Sequence, residues 1–171
     1  MSDALLHPAS LPGDALAAQC DFERLRRSGP GGQHRNKVET AVRCCHRATG
    51  VRAEASERRS QAENRRVALF RLRIHLALEV RCPAEPDRAP SPLWQSRCGG
   101  GKIFTAASHE DFPALLAEAL DAIAACGQDV SAAAGRLRCT PSQLVKLLKK
   151  EPRALEMVNR RRQSLGLGPL K

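Results

Sequence analysis

Residues 27–42 read RSGPGGQHRNKVETAV, and within them Gly29-Pro30-Gly31-Gly32-Gln33 is the stretch best suited to chemistry. Glycine has no side chain to hold a partner away and tolerates positive φ, so Gly31-Gly32 lets backbone amides approach a reacting group in a narrow site. Gln33 adds a backbone N–H and a neutral carboxamide, which donates and accepts hydrogen bonds but is no general base near neutral pH. A glycine-rich loop before a helix start can instead cradle phosphate, yet the Lys-Ser/Thr pair that ends a P-loop is missing. Taken alone, the tripeptide favours a structural turn. His34 has no carboxylate partner visible in sequence, which disfavours an acid–base role for it.

The elements that must position this loop lie on either side of it. Residues 20–26 form a candidate strand leading in, although their alternation is poor. Val42, Cys44 and His46 alternate with Arg43 and Cys45, and Val51, Ala53 and Ala55 alternate with Arg52 and Glu54, with Thr49-Gly50 as the turn between them. That is a hairpin with one face to cover. The cover comes from Ser60 to about Arg81: Ser60 and Glu63 make a capping box, and Val67, Phe70, Ile74 and Ala77 form one helical stripe beside Leu69, Leu72 and Leu76.

From Cys82 to Pro92 four prolines in eleven residues describe an exposed linker. Trp94 and Ile103-Phe104, flanking Gly99-Gly100-Gly101, are candidates for a small hairpin, with Lys102 beside its turn. Asp111 is the expected N-cap of a helix with Phe112, Leu115, Leu116, Ala119, Leu120 and Ile123 on one face, stopped by Gly127. A short Ala-rich helix, Ser131 to Leu137, precedes a turn at Arg138-Cys139. Thr140, Gln143 and Pro141 then start a helix running to Lys150, with Leu144, Val145, Leu147 and Leu148 inward. Pro152 opens a last helix, ended by Gly166. The expected class is α+β, a small mixed or antiparallel sheet with helices on one face, followed by a mainly α-helical region with helix-turn-helix character. The expected divisions are 1–82, a linker and possible hairpin at 83–107, and a basic helical region at 108–171.

Charge points to polyanionic partners. The chain has 171 residues, 28 Lys plus Arg against 18 Asp plus Glu, and a formal charge of +10. Residues 20–82 and 136–171 each carry a net +8, whereas 83–135 carry −4 and 1–19 carry −2. With aromatics at 3%, Arg and Lys on phosphate must dominate any RNA contact. No long apolar run or leader-like N-terminus is visible, so a cytoplasmic location is expected, without membrane contact. The seven cysteines are odd in number and contain no C-x-x-C pair, the pattern of reduced structural thiols rather than a disulfide framework or zinc site. Cys44-Cys45 are expected in the sheet with one thiol inward.

The loop, the hairpin turn and the segment ERRSQAENRR at 57–66 occur in one order, and together they resemble the catalytic domain of class I peptide chain release factors and the shorter stalled-ribosome rescue hydrolases. The resemblance covers about residues 11–81, and its motif GPGGQHRNKV is highly specific. It implies that Gly31, Gly32 and Gln33 are the catalytic tripeptide, which enters the peptidyl transferase centre of the large ribosomal subunit. There the Gln33 N–H would stabilise charge developing during attack on the peptidyl-tRNA ester, a contribution of about 3 kcal/mol for one donor. The Gln33 side chain would shape the pocket for water. Ribosomal RNA of the 23S type and the tRNA ribose supply the other groups, so neither a metal nor another cofactor is implied. Gly29, Pro30 and Asn36 would position the loop, and Gln33 would be a candidate for N5-methylation by a glutamine methyltransferase.

RNA phosphate contact is assigned to Arg35, Lys37, Arg58, Arg59, Arg65 and Arg66, against the alternative of a solvated surface. Lys146, Lys149 and Lys150 on the helix-turn-helix, and Arg160, Arg161 and Arg162 after it, are candidates of the same kind, for RNA rather than DNA. A codon-reading domain has no room in this length, which implies codon-independent release by a monomer on stalled ribosomes or split large subunits. The alternative is a non-catalytic ribosome- or RNA-binding adaptor that keeps the fold. Rescue hydrolases dock a basic C-terminal tail in the mRNA channel, whereas residues 108–171 here read as folded.

Overall fold

The computed structural model describes residues 6–25, 40–83 and 89–171. A 3-10 turn, Pro8–Ser10, and a short helix α1, Gly13–Ala17, lead into a three-stranded antiparallel sheet of β1, Cys20–Leu25, β2, Ala41–His46, and β3, Arg52–Ala55, in the order β1-β2-β3. The alternation expected for the hairpin holds: Val42, Cys44, His46, Ala53 and Ala55 are buried on one face. On the other face Arg43 lies in register between Glu23 and Glu54, reaching their carboxylates at 3.0 and 2.6 Å. Opposite charges directly across a sheet are mutually favourable, and this row pins the register of three strands at once.

Helix α2, Gln61–Glu79, covers the inner face, and the Ser60 hydroxyl accepts from the Glu63 N–H at 3.4 Å as the capping box requires. Its burial is two-sided. Toward β3, Arg71 donates to the Glu54 carbonyl at 2.8 Å and the His75 ring meets the Arg52 carbonyl at 2.7 Å. On the other flank Arg73 donates to the carbonyls of Ala9, 3.0 Å, and Glu110, 2.7 Å, where the N-terminal turn and the next long helix pack. Two apolar stripes on one helix therefore serve two neighbours, and one buried apolar cluster runs from Ala9 to Val158 without a break at the proline-rich segment.

The region after that segment departs from expectation at its start. Trp94 lies in a helix, α3, Pro92–Arg97, rather than in a hairpin arm; Ser91 accepts from the Trp94 N–H at 3.0 Å and Pro92 takes the first turn, which needs no donor there. The hairpin itself is shorter, β4, Cys98–Gly99, and β5, Lys102–Ile103. Helix α4, Phe112–Ala125, buries eleven of its fourteen residues, so it is the centre of the helical layer rather than a one-sided surface helix. Its Asp111 makes no side-chain cap, because the carboxylate is held by Arg97 at 2.7 Å. Helices α5, Val130–Arg136, α6, Pro141–Leu148, and α7, Pro152–Ser164, complete the layer. Thr140 caps α6 through the Gln143 N–H at 3.3 Å, and α6 stops at Leu148, a fraction of a turn before the expected Lys150. The α5–α6 turn is closed from outside: the buried Trp94 indole donates to the Leu137 carbonyl at 2.8 Å, and Arg138 takes φ 55°.

Candidate functional site

The loop residues Gly29, Pro30, Gly31, Gly32, Gln33, His34, Arg35, Asn36 and Lys37 lie outside the described residues. Their anchors do not. Leu25 and Ala41 are paired at the end of β1–β2, so the segment between them springs from one end of the sheet. Immediately beside that end stands Asn64, fully buried on the first turn of α2. Its amide donates to the carbonyls of Thr40, 2.7 Å, and Arg58, 2.9 Å, and its oxygen accepts from the Arg58 N–H at 2.9 Å. One side chain thus ties together the exit of the loop, the β3–α2 turn and the helix start. Sequence reasoning passed over Asn64 as part of a polar run. The available signal was its place four and eight residues before Ala68 and Leu72, a polar group on the inward stripe.

The same clamp gathers basic groups at the loop end. Arg58 and Arg59 sit exposed on the β3–α2 turn, and Arg65 and Arg66 are exposed on the first turns of α2. Arg65 lies 3.8 Å over the Phe22 ring, a cation–π contact that holds the guanidinium against the sheet while the residue stays exposed. Arg71, one turn further, is instead paired with Glu57 at 2.6 Å.

Residues 16–95 match the RF-1 domain. Over that stretch the chain is release factor-like. It is 50% identical over 58 residues to a peptide chain release factor homolog of Escherichia coli, covering 34% of this chain and 28% of that one. It is 40% identical over 78 residues to peptide chain release factor 1 of Rickettsia typhi, 46% of this chain and 22% of that one. It is 47% identical over 72 residues to peptide chain release factor 1 of Acidiphilium cryptum, 42% and 20% respectively. The matched stretch therefore spans between 20% and 28% of these relatives' lengths. The RF-1 domain match also runs past the expected end near residue 81 and into α3.

The basic residues beyond the release factor-like stretch have different fates. Lys146 and Lys149 are exposed on α6, but the Lys150 ammonium donates to the Thr105 carbonyl and is half-buried. Arg160 pairs with Glu156, Arg161 is exposed, and Arg162 donates to the carbonyls of Gly168, at 2.8 Å, and Gln128. α4 packs against both α2 and α6, so these groups form a second basic area rather than joining the loop end.

Titratable groups elsewhere are structural. Burial pushes the Cys44 thiol up to about 12 and Cys139 to about 11, so neither is a thiolate nucleophile near neutral pH. Among the described residues, His7, Cys82 and Asp121 bring possible ligand atoms within 4.8 Å of one another. Both His7 nitrogens are already engaged, Nδ1 accepting from the Ala9 N–H at 3.1 Å and Nε2 donating to the Val80 carbonyl at 3.2 Å. Arg81 adds a cation 3.3 Å from Asp121, so the group works as a tether between the N-terminal turn, the end of α2 and α4. No described helix is long and apolar enough to cross a membrane.

That tether carries a pH prediction. Burial holds the imidazoles of His7 and His46 below their ordinary range. On acidification the unfolded chain then takes up protons first, so the stabilisation is complete above about pH 6.5 and is lost as pH falls below it. Asp121, pushed up by burial, acts in the opposite sense. The melting temperature is expected to fall on going from neutral to mildly acidic buffer, and to fall less in His7→Asn. A melting temperature that rises over that range, or an unchanged slope in the variant, refutes this.

Proposed function

We propose that the chain hydrolyses the peptidyl-tRNA ester in the peptidyl transferase centre of the large ribosomal subunit, without reading a codon. The observation that carries this is an intact Gly31-Gly32-Gln33 inside the stretch that matches the RF-1 domain, between β1 and β2, where the Asn64 clamp secures the loop's exit at Thr40. Water adds to the ester carbonyl, charge builds on its oxygen, and the tRNA ribose hydroxyl departs with a proton, leaving a free peptide carboxylate. The Gln33 N–H stabilises the developing oxyanion, and its carboxamide restricts the attacking group to water. Gly29, Pro30 and Asn36 set the approach of the loop. Arg35, Lys37, Arg58, Arg59, Arg65 and Arg66 contact ribosomal RNA phosphates around it. Gln33 is the residue a glutamine methyltransferase would modify, and the chain acts as a monomer.

Codon independence rests on the resemblance to the shorter rescue hydrolases; the region after residue 95 is a helical layer sharing one core with the sheet. The test is release of labelled peptide from ribosomes stalled on truncated mRNA, from ribosomes with a stop codon in the A site, and from isolated large subunits carrying peptidyl-tRNA. Release from the stalled complexes or the isolated subunits, with no requirement for the stop codon, is the expected result. Release only with a stop codon would remove the codon-independent reading. No release from any complex, with ribosome binding retained, would leave the non-catalytic adaptor.

A further inference from the structure

We propose that the outer face of α6, together with the β4–β5 hairpin beside it, docks a base-paired RNA stem, with Phe104 stacking on a base at its open end. The choice of RNA rests on the proposed ribosomal function; the existence of the face does not. Leu144, Leu147 and Leu148 turn inward and are buried, which leaves Pro141, Ser142, Lys146 and Lys149 outward. The hairpin is fastened to this helix at three points. The Thr140 N–H donates to the Gly101 carbonyl at 3.2 Å, the Ile103 N–H reaches Gln143 Oε1 at 3.5 Å, and Lys150 holds the Thr105 carbonyl. Gly101, at φ 75°, is needed for that closure, since a β-carbon there would stand 3.4 Å from the Thr140 methyl in a conformation L side chains rarely adopt.

The fastened hairpin presents Phe104, 61% exposed, two residues after the exposed Lys102. A large ring left in water near the exposed Lys102 matches a stacking platform next to a phosphate track, and stacking needs no particular base. Lys146 joins the two sides of the face. It lines a small cleft with Ile103, Gln143 and Lys150, and also a groove of about 700 Å³ between α6, the start of α5 and the C-terminal residues, where Arg162 and Lys171 stand. Asp129 borders the same groove, but its carboxylate accepts from the Ser131 and Ala132 N–H groups at 2.8 and 3.1 Å.

The outward side chains also say how the partner is read. Lysine and serine grip phosphate, and the planar groups that read base edges most selectively are scarce on this face: Gln143 is turned to the hairpin and α6 carries no Arg or Asn. A sequence-specific DNA reader would need such residues in its second helix. A-form RNA, recognised by backbone shape, does not.

The test uses the full chain and an isolated RNA hairpin of roughly 16 base pairs with an unpaired end, against the same hairpin in DNA, in rising KCl. The double variant Lys146→Glu, Lys149→Glu is expected to weaken RNA binding by at least about 10-fold and to flatten the dependence of log affinity on log salt by about 2. Phe104→Ala should cost about 10-fold with the salt slope unchanged. All three side chains are exposed, and matching melting curves verify the folds. Binding unchanged in the double variant, no binding to RNA at all, or DNA bound as tightly as RNA overturns the proposal. Because the readout is binding to a free stem, it is separate from whether peptide is released: a chain that binds the stem but releases nothing would count against the hydrolase reading alone.

Discussion

Gly32→Ala is expected to lower peptide release by about 10²–10³-fold while leaving the melting temperature unchanged. The substitution adds a β-carbon immediately before Gln33, where close approach of the backbone to the ester is the reason for two successive glycines. Moving the Gln33 N–H out of line removes a donor whose value lies only in the transition state, so kcat should fall while affinity for the ribosome stays near wild type. Gln33→Ala separates the two roles given to that residue. It keeps the N–H and loses the carboxamide, so hydrolysis should decline less, and small alcohols or hydroxylamine should become competent acceptors. Single-turnover release assays with water alone and with added nucleophile measure both effects. Wild-type release by Gly32→Ala and Gln33→Ala alike would end the assignment of chemistry to this loop.

Asn64→Ala should have the largest effect on the scaffold, about 2–4 kcal/mol of stability. The side chain is 0% exposed, and its bonds of 2.7, 2.9 and 2.9 Å satisfy the carbonyls of Thr40 and Arg58 and the Arg58 N–H. Alanine removes the partner of these part-buried backbone groups and leaves a gap where a fully buried side chain stood. Asn64→Asp is expected to be no better, since it loses both N–H donors and turns a charged oxygen toward two carbonyls. For a chain of this size the melting temperature should drop by about 5–15 °C. Because Thr40 is the exit of the loop, release should also decline at temperatures where the variant is fully folded, through kcat rather than binding. Equal stability and equal release in Asn64→Ala would show that the clamp supports neither the fold nor the loop.

What local chemistry controls was legible without coordinates. The hairpin came from two alternating runs joined at Thr49-Gly50, and the starts of α2 and α6 came from Ser60 with Glu63 and Thr140 with Gln143, because a cap is satisfied within three residues. The expected α+β class holds for the same reason. Gly31-Gly32-Gln33 stood out through residue type and order, and that stretch falls within the residues that match the RF-1 domain. Where the chain's polar groups terminate was not legible. Asn64 reaches Thr40 across 24 positions, Trp94 reaches Leu137 across 43, and Lys150 reaches Thr105 across 45. Those partners exist only once sheet, central helix and hairpin have packed, and packing decides which of several similar cations stay in water. The residue order thus determined the elements and the candidate chemistry, whereas the tertiary structure alone decided that Lys150 and Arg162 are tied to carbonyls, that Lys146 and Lys149 are not buried, and that Asn64 holds the base of the loop, since each depends on contacts between segments far apart along the chain.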